Sequence, residues 1–305
     1  MRTSLGALSL VAVLAAACAG PAATPTGTIT ATPPSPGPTT APTPTPDACA
    51  KDKLALTTPG KLTVGTDNPA YPPYFGGDPP ADGTWEVSDP RSGKGFESAV
   101  AYAIAEKLGF SKDEVVWVVV PFANSYAPGP KAFDFDINQV SYKPERAQAA
   151  DLSDGYYFGN QTVVALKGSP VAAAKSVADL KPYQFGAQAG TTSYDAIVEV
   201  IKPDKETRVY DSNDAAIEAL SAKLVNGVVV DLPTAYFITT VQVENATIVG
   251  QLPQGEQEYF SLVLAKGSPL TPCVNAAIAA LKADGTLAKL EDEWLPFKGT
   301  PTLAP

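Results

Sequence analysis

The sequence predicts an α/β fold of layered strands and helices, and three observations carry that expectation. Short apolar runs alternate with longer stretches of helical periodicity in the order strand, helix, strand. Polar and charged groups recur where the apolar runs stop, which is where open α/β sheets place ligand sites. A chain of 305 residues with 45% hydrophobic content is long enough for one large domain or two of ordinary size.

Composition removes several function classes. The formal net charge is -10 and the pI about 4.6, which argues against nucleic acid as a partner, since phosphate binding needs a basic patch. Histidine is absent. That excludes Ser-His-Asp and Cys-His nucleophilic chemistry and His-ligated metal sites. Acid–base work would fall to carboxylates, Lys or Tyr, and no cofactor or metal is expected.

Residues 1–17 read as an export signal. Arg2 supplies a positive start, Leu5 to Leu14 is a short apolar run, and Ala15, Ala16 and Ala17 precede Cys18. The run is too short to span a membrane. L-A-A-A-C resembles a bacterial lipobox, which implies diacylation of Cys18 and anchoring to the outer face of the cell membrane. The alternative is ordinary secretion with Cys18 removed or left free. Residues 18–47 are almost entirely Pro, Thr, Ala, Ser and Gly. They bury too little apolar surface to offset their ordering entropy. Such a segment favours an extended stalk, at about 3.1 Å per residue. Cys49 and Cys273 remain, and an even pair in an exported protein suggests a disulfide. Two free buried thiols are the alternative.

Leu62 to Thr66 reads as the first strand of the folded part. It runs into a loop rich in aromatics and proline, Asp67 to Tyr74. Tyr71 and Tyr74 there offer rings for a ligand wall or for packing on the prolines, and Asp67 and Asn68 are ligand contacts or turn formers. Gly76 to Lys94 is a surface insertion. Phe96 to Gly109 shows apolar residues at helical spacing. Val115 to Val120 is a buried-strand run, with Phe122 at its end. Phe133 to Val140 alternates like a half-buried strand and leads through Ser141 and Pro144 to Arg146. A guanidinium fits a carboxylate with two parallel hydrogen bonds. Read alone, Arg146 is more readily a solvated surface charge, as most arginines are.

The second stretch repeats the pattern. Strands are expected at Thr162 to Leu166, Phe185 to Ala187, Thr207 to Tyr210, Val228 to Asp231 and Phe260 to Ala265. Helices are expected at Val171 to Leu180, Tyr194 to Ile201, Asn213 to Leu224 and Pro269 to Lys282, with a last one through Trp294. Gln188 to Ser193 precedes a helix, so it is either an anion-binding start or an ordinary N-cap. Asp231, at a strand end, is either a partner for a cationic amine or the cap of the next helix. The tail from Gly299 to Pro305 is expected to be loose.

Several motifs in order resemble one family across residues 54–297. They are T-D-N-P-A-Y-P-P-Y, Gly95-Phe96-Glu97 opening a helix, S-Y-K-P-E-R, A-D-L-S-D-G-Y-Y, Gln188-Ala-Gly-Thr-Thr-Ser, Val230-Asp231-Leu-Pro and a closing D-G-T-L…W. The chain resembles the bacterial extracellular solute-binding proteins of family 3, the polar amino-acid class of ABC-importer receptors. The resemblance implies a two-lobe, type II periplasmic-binding-protein clamshell with two crossover hinge strands. Lobe 1 would take residues 48–160 and 262–298, and lobe 2 residues 161–261. Arg146 would bind the ligand α-carboxylate with the Ser141 hydroxyl and amide and the backbone at Thr191 and Thr192. Asp231 would take the ammonium. Tyr71 and Phe122 would sandwich the side chain, and Asp67 or Asn68 would help select it. Three departures stand out. Ala99 replaces an acid, Gln139 stands where Gly is common, and Gln188 sits where some relatives carry Lys. Asp67, Asn68, Gln139 and Gln188 are hydrogen-bonding groups near the pocket, so a polar side chain such as that of glutamine is expected, with a basic one next.

The implied function is that of a monomeric receptor delivering an amino acid to membrane permease subunits. A sensor on the same fold is an alternative. An enzyme like the dehydratases that resemble this family is a third reading, disfavoured because Glu97 is expected outside the cleft and no histidine is available.

Overall fold

In the computed structural model, the described residues are 46–253, 257–295, 297 and 299–305. The expected signal segment, Cys18 and all but the end of the linker lie outside the described residues.

Among the described residues twelve strands appear in chain order, and the first four belong to one five-stranded sheet. β1 (Leu62–Thr66) is buried along its whole length, as a central strand of a covered parallel sheet must be. It pairs in parallel with β2 (Val115–Val119) and β3 (Phe135–Asp136), and β4 (Ala150–Leu152) lies at the far edge. The chain then crosses through β5 (Tyr157–Gly159) into a second sheet. That sheet holds β6 (Gln161–Leu166), β7 (Phe185–Gln188), β8 (Arg208–Tyr210), β9 (Gly227–Asp231) and β10 (Ala246–Gln251). β11 (Glu258–Phe260) pairs antiparallel with β5 and carries the chain back. β12 (Val263–Ala265) slots antiparallel between β3 and β4. The sheet orders are β2-β1-β3-β12-β4 and β10-β6-β9-β7-β8. The result is a two-lobe α/β architecture with two crossover strands, as expected.

Helices connect the strands. They are α1 (Phe96–Lys107), α2 (Phe122–Ser125), α3 (Pro144–Ala149), α4 (Thr192–Ala196), α5 (Asn213–Ser221), α6 (Leu232–Phe237), α7 (Thr271–Ala283) and α8 (Thr286–Trp294). The first sheet shares one core with α1, α7 and α8, centred on Phe96, Ile104, Phe135 and Ile278. The second sheet is covered on both faces. Val163 enters one apolar cluster with Phe185 and Ile197, and its neighbour Val164 enters the opposite one with Leu220 and Val228. The period-2 alternation of a strand sends them to different faces. Burying one such side chain stabilises the fold by about 1.5–3 kcal/mol. Cys49 and Cys273 form a disulfide, with their Cα atoms 5.4 Å apart, fastening the segment before β1 to α7.

Four expectations change. The strand expected over 133–140 stops at Asp136, because the backbone turns at Gln139 with φ of 48°. Residues 171–180 form two single 3₁₀ turns rather than a helix. The strand expected over 260–265 is interrupted at Ser261 and Leu262, where the chain passes from the crossover to the first sheet. The tail is not loose. Leu303 is buried in the second lobe's core, and the Leu303 N–H donates to the Gln251 carbonyl at 2.9 Å. One leucine among Thr, Pro and Ala is too weak a pattern to show this in the sequence.

Candidate functional site

The first lobe presents its loop between β1 and α1 through a close backbone approach. Gly95 has φ of 91°, and a Cβ there would lie 2.5 Å from the Tyr74 carbonyl oxygen. With no side chain in the way, the N–H groups of Phe96 and Glu97 donate to the carbonyls of Pro73 and Tyr74, each at 2.9 Å. The start of α1 thereby holds the loop that carries Tyr71 and Tyr74. Asp67 accepts from the N–H of Asn68 at 2.8 Å and from that of Phe122 at 3.3 Å. Burial raises its pKa against those two bonds.

Arg146 is not a solvated surface charge. It is 5% exposed, in an α3 that begins at Pro144, where a missing N–H costs nothing. Its guanidinium donates to the Ser141 carbonyl at 2.6 Å and across the lobes to the Gly190 carbonyl at 2.8 Å. It lies 4.5 Å from the ring centroid of Tyr126 and 5.5 Å from that of Phe122. These contacts offset part of its desolvation. Burial lowers its pKa, from a value high enough to keep it charged.

The second lobe builds its wall from three strand ends that become helix starts. After β7, Gly190 turns with φ of 72°, and Thr191 caps α4 by accepting from the Tyr194 N–H at 3.2 Å. After β8, Ser212 caps α5 by accepting from the Ala215 N–H at 3.2 Å, which puts Asp214 in the first turn. After β9, Asp231 caps α6, accepting from the N–H and hydroxyl of Thr234 at 3.1 Å each. Asp231 also accepts from the Tyr74 hydroxyl. The capping reading of Asp231 therefore holds. Burial raises its pKa, opposed by the bonds from Tyr74 and Thr234.

Arg146 and Asp231 line one cavity of about 150 Å³. Asp67, Tyr71, Phe122, Gln188, Thr191 and Thr192 share it, with Gln139 and Ser141. Among the described residues lining it, Arg146 is the one cation, facing Asp67, Asp214 and Asp231. The lobes touch across it. Tyr71 donates to Asp214 at 2.9 Å, Lys143 pairs with Asp195, and the Tyr71 and Phe237 rings are 5.6 Å apart.

Two expected contacts move. Asn68 does not line the cavity. Its side chain donates to the Thr84 carbonyl at 3.4 Å and accepts from the Glu86 N–H at 3.1 Å, so it ties down the 76–94 insertion. Gln139 reaches the lining, but its side-chain amide is committed to Glu97, as is its backbone N–H at 2.8 Å. Glu97 is fully buried behind the wall and also accepts from Tyr156. Burial outweighs these bonds and pushes its pKa up to about 7. It is not among the cavity residues.

Sequence reading missed Tyr126, Gln161, Asp214, Phe237 and Glu258. Asp214 had a usable signal, because it follows a strand end and a hydroxyl cap, as Thr192 does. The Ser141 and Thr192 hydroxyls do not simply face the cavity. Both donate to the Glu258 carboxylate, Thr192 at 2.5 Å.

Comparisons with known proteins agree with this fold. The family model for bacterial extracellular solute-binding proteins, family 3, matches residues 62–297. The ABC transporter arginine-binding protein 1 of Escherichia coli K12 is 30% identical over 173 residues, covering 54% of this chain and 68% of that one. The L-cystine-binding protein TcyJ of the same organism is 28% identical over 240 residues, covering 77% and 82%. A solved structure of an ancestral arginine-binding protein bound to glutamine superposes with a TM-score of 0.64 at 27% identity, covering 79% of this chain and 100% of that one.

Proposed function

The chain belongs to the bacterial extracellular solute-binding proteins of family 3, and from that premise we propose that it is the receptor of an ABC importer for an amino acid with a basic side chain. The observation that carries the side-chain class is the charge count of the cavity. An amino-acid zwitterion uses Arg146 for its carboxylate and Asp231 for its ammonium, in charge-assisted hydrogen bonds. Asp67 and Asp214 then remain in the lining without a cation there, and a guanidinium or ammonium side chain complements them. This ordering reverses the sequence expectation, which put a glutamine-like ligand first. Of the four groups that suggested glutamine, Asn68 lies outside the cavity lining and the Gln139 amide is occupied by Glu97.

Ligand groups on opposite lobes favour the closed arrangement, since only closure makes both sets of contacts. The crossover strands β5 and β11 serve as the hinge, with lobe boundaries near residues 160 and 262. Cys18 carries the lipid anchor, and residues 18–47 tether a monomeric receptor that hands its ligand to the permease. No chemical step is part of this reading. The buried acid Glu97 is bonded to Tyr156 and Gln139 rather than aimed at the cavity.

The test is a thermal-shift screen of the twenty amino acids followed by calorimetry, since a ligand bound only to the folded state raises its melting point. L-Arginine and L-lysine are expected to give the largest shifts, with L-glutamine next and recovered unchanged like the others. A flat screen defeats the receptor reading. A response to L-glutamine above L-arginine defeats the basic side-chain assignment alone.

A further inference from the structure

The Glu258 carboxylate receives hydrogen bonds from both lobes. It sits on β11, in the crossover. The Ser141 hydroxyl reaches it from the first lobe. The Thr192 hydroxyl reaches it from the second, at 2.5 Å. The Gln161 side-chain amide donates to both its oxygens at 3.1 Å, and Ser193 donates to the carbonyl end of that amide at 2.7 Å. Alternation along the strand puts Glu258 on the same face as Phe260. Phe260 lines the cavity and forms a bridge with Ser141. Glu258 itself is not among the lining residues. It lies behind Ser141 and Thr192, beside Asp231 and Gln161 in a small adjoining pocket.

A hydroxyl has one proton to give and two lone pairs to offer, whereas a carboxylate only accepts. The Ser141 and Thr192 protons therefore point at Glu258, and the cavity side of these hydroxyls offers lone pairs. A ligand carboxylate brought there would meet acceptors. An ammonium would meet them with Asp231 close by.

We propose that Glu258 is a positioning residue that fixes the polarity of the bound zwitterion, by drawing the hydroxyl protons of Ser141 and Thr192 away from the ligand. It holds the ammonium end toward Ser141 and Asp231 and leaves the carboxylate end to Arg146. This rests on the amino-acid reading above. It reverses the role expected for the Ser141 hydroxyl, which turns from a carboxylate donor into an ammonium acceptor.

The experiment is calorimetry of the full chain with matched ligand pairs that differ only by the ammonium group. The pairs are L-arginine with 5-guanidinopentanoate and L-glutamine with glutarate monoamide. Glu258→Gln replaces the carboxylate with a neutral amide, a weaker acceptor that releases the hydroxyl protons to turn toward the cavity. That variant is expected to lose about ten- to a hundredfold in affinity for the amino acid, the range of a hydrogen bond to a charged group. Its affinity for the desamino partner should stay within about twofold, a shift too small for a lost hydrogen bond. Glu258→Asp, which keeps an acceptor, should recover most of the difference. Ser141→Ala should show the same selective loss, and adding Glu258→Gln to it should cost little more. Equal losses for both members of a pair in Glu258→Gln would make Glu258 a structural support only and overturn the inference. So would full additivity with Ser141→Ala. A wild-type protein that binds neither member of either pair would overturn the receptor reading, and this one with it.

Discussion

The two walls of the cavity are built by different means. The first-lobe wall is aromatic and cationic, and it depends on backbone that local pattern does not specify: a loop laid against Gly95, a turn at positive φ through Gln139, and an arginine five residues beyond Ser141. The second-lobe wall is acidic and hydroxylic. It repeats one device three times, a strand end followed by a capped helix start, at Thr191, Ser212 and Asp231. The first wall therefore supplies one strong contact of great specificity. The second supplies several groups placed by one common device. The walls also differ in charge: the first sets Arg146 beside Asp67, and the second carries Asp214 and Asp231.

The largest effect should come from the wall with a single cation. Arg146→Ala removes the carboxylate partner and the bond to Gly190 together. A micromolar ligand is held by about 8 kcal/mol, and loss of one partner of a buried pair costs on the order of 3–5 kcal/mol. Calorimetry should detect no amino-acid binding. Retained micromolar binding would show that the cation is not the anchor.

Asp231→Asn comes next. It keeps the cap on α6, because asparagine caps about as well as aspartate, and it removes the charge facing the ammonium. Affinity should fall about a hundredfold, within the 2–5 kcal/mol expected for a buried charge partner, with the melting temperature of the unliganded protein nearly unchanged. If melting falls as far as affinity, Asp231 is chiefly structural and the two walls differ less than described.

A third effect concerns stability rather than affinity. Burial pushes the Glu97 carboxyl from 4.5 to about 7 in the folded protein. The folded state thus holds a proton that the unfolded chain has already released. Its contribution is fully present below pH 4.5 and is lost as pH rises to about 7, on the order of 3 kcal/mol for such a shift. Denaturant melts of wild type and Glu97→Gln across pH 4–8 should diverge over that window, with wild type losing the more. Parallel curves would mean that Glu97 ionises as an ordinary exposed acid.

The smallest change is Tyr71→Phe. It keeps the ring against Phe237 and deletes the hydroxyl that donates to Asp214. Binding should weaken about two- to tenfold, the scale of one ordinary hydrogen bond. An undiminished affinity would place the contact outside the closed, ligand-holding state.

Much of the second wall was legible in the sequence, because helix capping is a local rule. Thr191, Thr192 and Asp231 follow strand ends within a few residues, and the reading that found them could have found Asp214 by the same step. The first wall was legible only in part. Arg146 and Tyr71 stand in recognisable motifs. Asn68, two positions past the end of β1, was assigned to the ligand, but its amide serves the insertion at Thr84 and Glu86. Nothing local distinguishes those two fates. Glu258 was invisible for a different reason. Its partners are 117, 97 and 66 residues away in the chain, and only folding brings them together. The strand and helix assignments held where apolar runs were long, as in β1 and β9. They failed over 133–140 and 171–180, where the chain crosses between lobes, and in the tail.

That tail limits how far the molecule can open. Leu295 belongs to the core of the first lobe and Leu303 to that of the second, eight residue steps later. A fully stretched chain covers no more than about 3.3–3.6 Å per residue, so this leash reaches about 27 Å. Gaping beyond that distance at this edge requires one of the two leucines to leave its core. The last few residues thus set a mechanical stop on the jaws without touching what the jaws hold.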